Sequence, residues 1–244
     1  MKSLLIYFLI IFLTHLPLQT LFAQQPSGIA VVELFTSEGC SSCPSAENVV
    51  MEIAGENNIN IYILEFHVDY WDRLGWKDPF SNAAYSKRQQ TYGRKLALAN
   101  IYTPQIIVNG SIELVGSDKV RLEKNIGVEL LKSQAPIVAI KAKRAETNAV
   151  SISYKIDGGS GNILNIALIQ LQANSDVESG ENKGRRLHHI QIVRTFKTIE
   201  DPGSTGEISL SIPDGLIPGN SRVIAYLQNK NDWHIKGAVQ SASF

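Results

Sequence analysis

The chain of 244 residues has two cysteines, and both lie in the run Cys40-Ser41-Ser42-Cys43-Pro44. The apolar stretch Ile29–Thr36 before them reads as a strand. Ala46, Val49, Val50, Ile53 and Ala54 after them fall at helical spacing. A CxxC at the turn from a buried strand into a helix sets a thiol where the helix N-terminus stabilises its anion, the arrangement of a redox-active dithiol. Cys40 is the expected nucleophile and the more exposed sulfur; Cys43, one turn in, resolves the mixed disulfide. Pro44 suits the first helical turn, where a missing N–H costs nothing. As an inert staple, so short a loop would add only about 2 kcal/mol.

Three further residues have chemistry within reach. Glu33 lies inside the apolar strand, where a carboxyl must be neutral or paired. It either relays the proton of the inner thiol, or pairs with a base or turns to solvent at a sheet edge. His67 and Asp69 share a face at the end of a second strand, Ile59–Val68. With Cys40 and Cys43 they form an alternative set of four ligands for copper or zinc. The main expectation is a dithiol that uses no cofactor. His188 and His189 cannot face the same way on a strand, so they do not chelate as a pair. The basic run around them reads as a polar hairpin rim, with Arg185 and Arg194 binding a carboxylate or docking onto the first domain as the alternative.

The elements that must position these groups change character near Ser133–Pro136. Before that point strands and helices alternate. The segment Ser42–Glu56 is helical, as is Pro79–Leu98 with Asp78 as its cap. Gln105–Asn109 and Ile112–Val115 form a hairpin through Asn109-Gly110, and a helix runs from Ser117 or Asp118 to Lys132. After Pro136, roughly seven short strands follow without a helix, the spacing of a small β-sandwich.

At the N-terminus, Lys2 precedes the apolar run Leu4–Leu13, which His15 and Pro17 then interrupt. Such a segment reads as a cleavable export signal cut after Ala23, with an uncleaved anchor as the alternative. The expected domains are therefore a signal peptide over 1–23, a CxxC domain over 24–134 and a β-sandwich-like domain over 135–244. The expected location is periplasmic or extracellular, where disulfides persist. Lys and Arg number 23, as do Asp and Glu, so no basic field invites nucleic acid or anionic lipid.

The order strand, CxxC-Pro helix, strand, helix, Thr103-Pro104, hairpin, helix resembles a thioredoxin. That resemblance implies an α/β thioredoxin-like domain ahead of the all-β half. It implies a cis Pro104 beside the dithiol, with Thr103 and Pro104 holding the backbone of a protein or peptide substrate. The segments Val31–Pro44, Phe66–Asp72, Leu74–Phe80 and Tyr102–Gln105, in that order, resemble the DUF1223 family of secreted proteins of unassigned function. Between Asp69 and Phe80 stands an aromatic insert with Tyr70, Trp71, Trp76 and Phe80. Trp71 and Trp76 either roof the dithiol and bind substrate, as aromatic anchors do, or pack under the second domain. The expected activity is thiol–disulfide exchange, that of an oxidoreductase. Metal binding and a chemically inert binding module are the alternatives.

Overall fold

The computed structural model describes residues 28–132, 138–145 and 148–243. The expected signal segment over 1–23 and the junction at Ser133–Pro136 lie outside them. Strand β1 (Ala30–Thr36) is wholly buried, and α1 (Cys43–Gly55) follows it. Then come β2 (Ile61–His67), α2 (Ala83–Lys95), the hairpin of β3 (Gln105–Val108) and β4 (Ile112–Val115), and α3 (Lys119–Leu130). Local signals hold well here: Asn109 and Gly110 take positive φ at the hairpin turn, and Asp118 caps α3 by accepting from the Arg121 N–H. The cap of α2 is Asn82, which accepts from the Ala84 N–H, and not Asp78. Asp78 is drawn inward by other partners.

The second half contains β5 (Val138–Arg144), β6 (Ala149–Ile156), β7 (Asn162–Asp176), β8 (Arg186–Glu200), β9 (Thr205–Ser211), β10 (Ser221–Asn229) and β11 (Ile235–Gln240). These are the anticipated strands, but they do not form a separate sandwich. Four of them extend the first sheet, giving the order β11-β10-β7-β8-β2-β1-β3-β4; only β5, β6 and β9 make a second sheet. The expected α/β thioredoxin-like domain followed by an all-β domain is thereby corrected. The protein is mostly β, 43% strand and 21% helix, around one mixed sheet of eight strands. The reason is physical: alternating patterns count strands and mark their faces, but leave open which edge each will join.

Both faces of the large sheet are covered. Val31 and Phe35 on one face pack with Tyr85 and Tyr92 of α2 and with Ile169, Val193 and Tyr226 from the second half. On the other face, Val32 and Leu34 pack under α1 and α3. Ile166, Leu168 and Val223, from the strands that extend the sheet, pack against the three-stranded sheet. The halves join where β2 runs parallel to β8, with Glu65 opposite Ile192. Near this seam β8 is irregular: its register with β7 shifts at Leu168/Ile169, and Gln191 has φ 50°.

One buried ion pair ties the α2 face together. Arg88 donates to Glu33 Oε1 from Nε at 2.9 Å and from the terminal nitrogen at 2.7 Å, and the hydroxyls of Tyr92 and Tyr226 donate to the same carboxylate. The guanidinium lies over the rings of Phe66, Phe196 and Tyr226. Burial disfavours its charge, but Glu33 outweighs that and raises the Arg88 pKa. Removing one partner of such a pair leaves a buried charge alone, at a cost of roughly 3–5 kcal/mol. Arg88→Met is therefore expected to lose about that much stability in urea unfolding, and Glu33→Leu/Arg88→Met to recover most of it. A loss below about 1 kcal/mol for the single variant would show that the pair does not hold α2 to the sheet.

Candidate functional site

Cys40 and Cys43 are joined in a disulfide at the entry to α1. Both are buried, at 1% and 0% exposure, so the expected difference in exposure between the two sulfurs is negligible in the disulfide form. The loop between β7 and β8 clamps this turn. The side-chain amide of Asn182, fully buried, donates to the carbonyls of Glu38 at 2.8 Å and Cys40 at 2.9 Å. Arg185 donates to Asn182 Oδ1 at 2.8 Å and fixes the orientation of that amide. The Ser41 N–H donates to Glu181 at 3.0 Å.

The peptide bond Thr103–Pro104 is cis. Trp71 joins that bond to the CxxC turn. Its Nε1 donates to Thr103 Oγ1 at 2.8 Å, while its Cβ lies against Gly39, where an added Cβ would approach to 3.0 Å. Pro104 and Ala46 of α1 both border Gly116. Trp76 donates to Glu38 Oε2 at 2.6 Å and lies beside Gly180 of the clamping loop. The aromatic insert thus packs between the CxxC turn and the second half.

On the α1 side of the sheet lies a cluster of buried ionisable groups. His67 Nδ1 is 2.7 Å from Asp78 Oδ2, and its Nε2 has no hydrogen-bond partner. His189 Nε2 is 3.1 Å from Glu38 Oε1. Its Nδ1 lies 3.1 Å from Glu47 Oε2, an ion-pair distance without hydrogen-bond alignment. The other Glu47 oxygen accepts from Thr36 Oγ1 at 2.6 Å. Glu47, His67 and His189 each offer a ligand atom within 4.8 Å of the others'.

The electrostatics of this cluster follow from mutual pairing. Burial alone would lower the His189 pKa, but Glu38 and Glu47 push it up to about 11. Burial would likewise raise Glu47 and Asp78, yet His189 and His67 respectively hold both below the usual carboxylate range. Glu65 has neither oxygen partnered, and burial first, then the Glu47 charge, raises its pKa well above that range.

The other sequence-predicted residues separate from this centre. Glu33 is held by Arg88, the base-paired reading of its position, on the α2 face of β1. Asp69 accepts from Ser86 Oγ and its N–H is bonded to the same hydroxyl, so its carboxylate is occupied away from His67. His188 is exposed while His189 is fully buried, in keeping with opposite orientations on one strand. The hairpin-rim reading therefore holds for His188 and is corrected for His189. Arg194 is stacked over Phe80 at 5.2 Å and donates to Gln170.

A family model described as "Protein of unknown function (DUF1223)" matches residues 31–228. The chain belongs to the DUF1223 family. The crystal structure of an Agrobacterium tumefaciens protein is similar to this DUF1223 chain, with 26% identity and a TM-score of 0.68 over 89% of this chain and 96% of that one. A domain of the outer membrane lipoprotein Omp28 from Porphyromonas gingivalis aligns with 45% of this chain and 88% of its own, at 10% identity and a TM-score of 0.27. No functionally curated protein matches the sequence.

The clamp has a direct kinetic consequence. Asn182→Ala removes two hydrogen bonds to the CxxC turn, each with a net value of about 0.5–1.5 kcal/mol. Reduction of the disulfide by dithiothreitol is expected to quicken about tenfold, the factor that corresponds to about 1.4 kcal/mol. An unchanged rate would mean that the loop does not limit access to the sulfurs.

Proposed function

We propose that this protein is an exported thiol–disulfide exchange protein acting on protein or peptide substrates through Cys40 and Cys43. The observation that carries the reading is the Trp71 brace, which sets the CxxC turn beside the Thr103–Pro104 segment. A dithiol that acts on a polypeptide gains from a neighbouring backbone segment that receives the chain; a disulfide that served only as a staple does not. Export to the periplasm or beyond, through the segment ahead of Gln24, agrees with an oxidised pair.

Exchange moves two electrons. A substrate thiolate attacks Cys40 Sγ, the Cys40–Cys43 bond breaks, and Cys43 leaves as a thiolate. A second substrate thiolate then attacks the mixed disulfide at the substrate sulfur and releases Cys40. The substrate dithiol ends as a disulfide and the Cys40–Cys43 pair as a dithiol; the reverse sequence reduces a substrate disulfide. Thr103 and Pro104 hold the substrate backbone, and Trp71 and Trp76 border its path. The Asn182 clamp must release before a substrate sulfur reaches Cys40. Glu33, engaged by Arg88, has no part in these steps.

The deciding measurement is the reduction potential of the chelator-treated protein in glutathione buffers. A value between about −120 and −270 mV is expected, the span of exchange catalysts, whereas one below about −300 mV marks a structural bridge and would overturn the reading. Cys43→Ser is expected to trap a mixed disulfide when the Cys40 thiolate attacks a disulfide-bonded peptide and the peptide's other sulfur leaves as a thiolate.

A further inference from the structure

The buried cluster has a second feature that thiol exchange does not use. In each histidine, one ring nitrogen is fixed by a carboxylate and the other is buried with no hydrogen bond of its own, and both rings offer a ligand atom within 4.8 Å of one from Glu47. Asp78 holds His67 Nδ1 at 2.7 Å and Glu38 holds His189 Nε2 at 3.1 Å. Both carboxylates are themselves anchored: Asp78 Oδ2 accepts from the Glu38 N–H at 2.9 Å, and Glu38 Oε2 accepts from Trp76. Glu47 repeats the pattern, with one oxygen bound to Thr36 and the other directed to His189.

We propose that Glu47, His67 and His189 form a zinc site that contains neither cysteine. Metal-binding histidines almost always give their outer ring nitrogen to a carboxylate or carbonyl, which fixes the ring and leaves the inner lone pair for the ion. Two imidazoles and one carboxylate are a recurrent zinc donor set. Bonds of about 2.0–2.1 Å to a tetrahedral ion set its ligand atoms about 3.3 Å apart. His189 Nδ1 and Glu47 Oε2 already stand at 3.1 Å, and the whole set is within 4.8 Å. The unpartnered His67 Nε2 is the third corner. An unmet nitrogen in a residue with 0% exposure is expensive without a partner, and an ion supplies one. Glu65, two residues before His67 on the same face, brings a further unpartnered carboxyl beside the site. The three-residue set does not depend on it.

Because all three ligands are buried, the ion enters as the chain folds. The test is therefore to unfold the full mature chain in guanidinium with chelator, remove both with the disulfide intact, and refold with Co2+ or Zn2+. One ion per chain is expected, with the visible absorption of tetrahedral Co2+ and no thiolate-to-metal charge-transfer band. Asp78→Asn is expected to weaken binding roughly 10- to 100-fold, and Glu47→Gln at least as much. Asp69→Asn, whose carboxylate is engaged by Ser86, should leave affinity unchanged. Should Glu47→Gln fail to fold, the wild-type stoichiometry and spectrum still decide. Failure of the refolded wild type to bind one ion, or a charge-transfer band showing thiolate ligation, would overturn the proposal. Neither result depends on the reduction potential of the cysteine pair.

Discussion

The parallel pairing of β2 with β8 is the contact on which the site depends. Glu65 and Ile192 face each other across it, and nearby His67 of β2 meets His189 of β8, with ring centroids 5.0 Å apart. Without that seam the two histidines would belong to separate bodies, far apart along the chain. The seam also brings the β7–β8 loop over the CxxC turn, so that Asn182 reaches a carbonyl 142 residues before it. Joining two β-rich halves into one sheet is what turns a surface dithiol into a buried, clamped disulfide.

A sheet covered on both faces has little room for charge; apart from Glu129, which Lys132 and Asn109 hold, the buried charge among the described residues gathers in two places. On the α2 face, Glu33 is neutralised by Arg88 and two tyrosine hydroxyls. On the α1 face, carboxylates and histidines alternate around His67 and His189. The first group is saturated, because each carboxylate oxygen has a donor and the guanidinium is enclosed by aromatic rings. The second is not: nitrogens and oxygens remain without bonds in a fully buried volume. Since buried polar groups are nearly always satisfied, the saturated cluster reads as structure and the unsatisfied one as a place for a ligand.

Much of the local structure was legible in the sequence, because its signals act within a few residues. The Asn109-Gly110 hairpin, the Asp118 cap and the strand-to-helix turn at Cys40 are of this kind. The Pro79–Leu98 helix was legible in type but not at its start: Asp78 has the chemistry of a cap, yet a buried histidine and a backbone N–H hold it more firmly. The cluster itself was hidden. Glu47 sits on α1 among residues that suggest only an amphipathic helix, and His189 is one of two adjacent histidines whose alternation is clear. Which of them turns inward depends on the register of β8, and irregular pairing near Gln191 and Arg194 sets that register in space.

Glu38 links the two chemical features. Its carbonyl accepts from Asn182 of the clamp, its N–H binds Asp78, and its carboxylate bridges Trp76 and His189. Two residues later the chain reaches Cys40. Opening the clamp therefore loosens a residue whose N–H holds Asp78 and whose carboxylate holds His189. An ion held by the cluster favours the arrangement in which Glu38 is fixed, which is the arrangement with the clamp closed. By linkage the influence is mutual: whatever free energy the ion contributes to the closed form, closure contributes to holding the ion. Were the cluster to hold an ion, access to the disulfide and occupancy of the cluster would be coupled through Glu38.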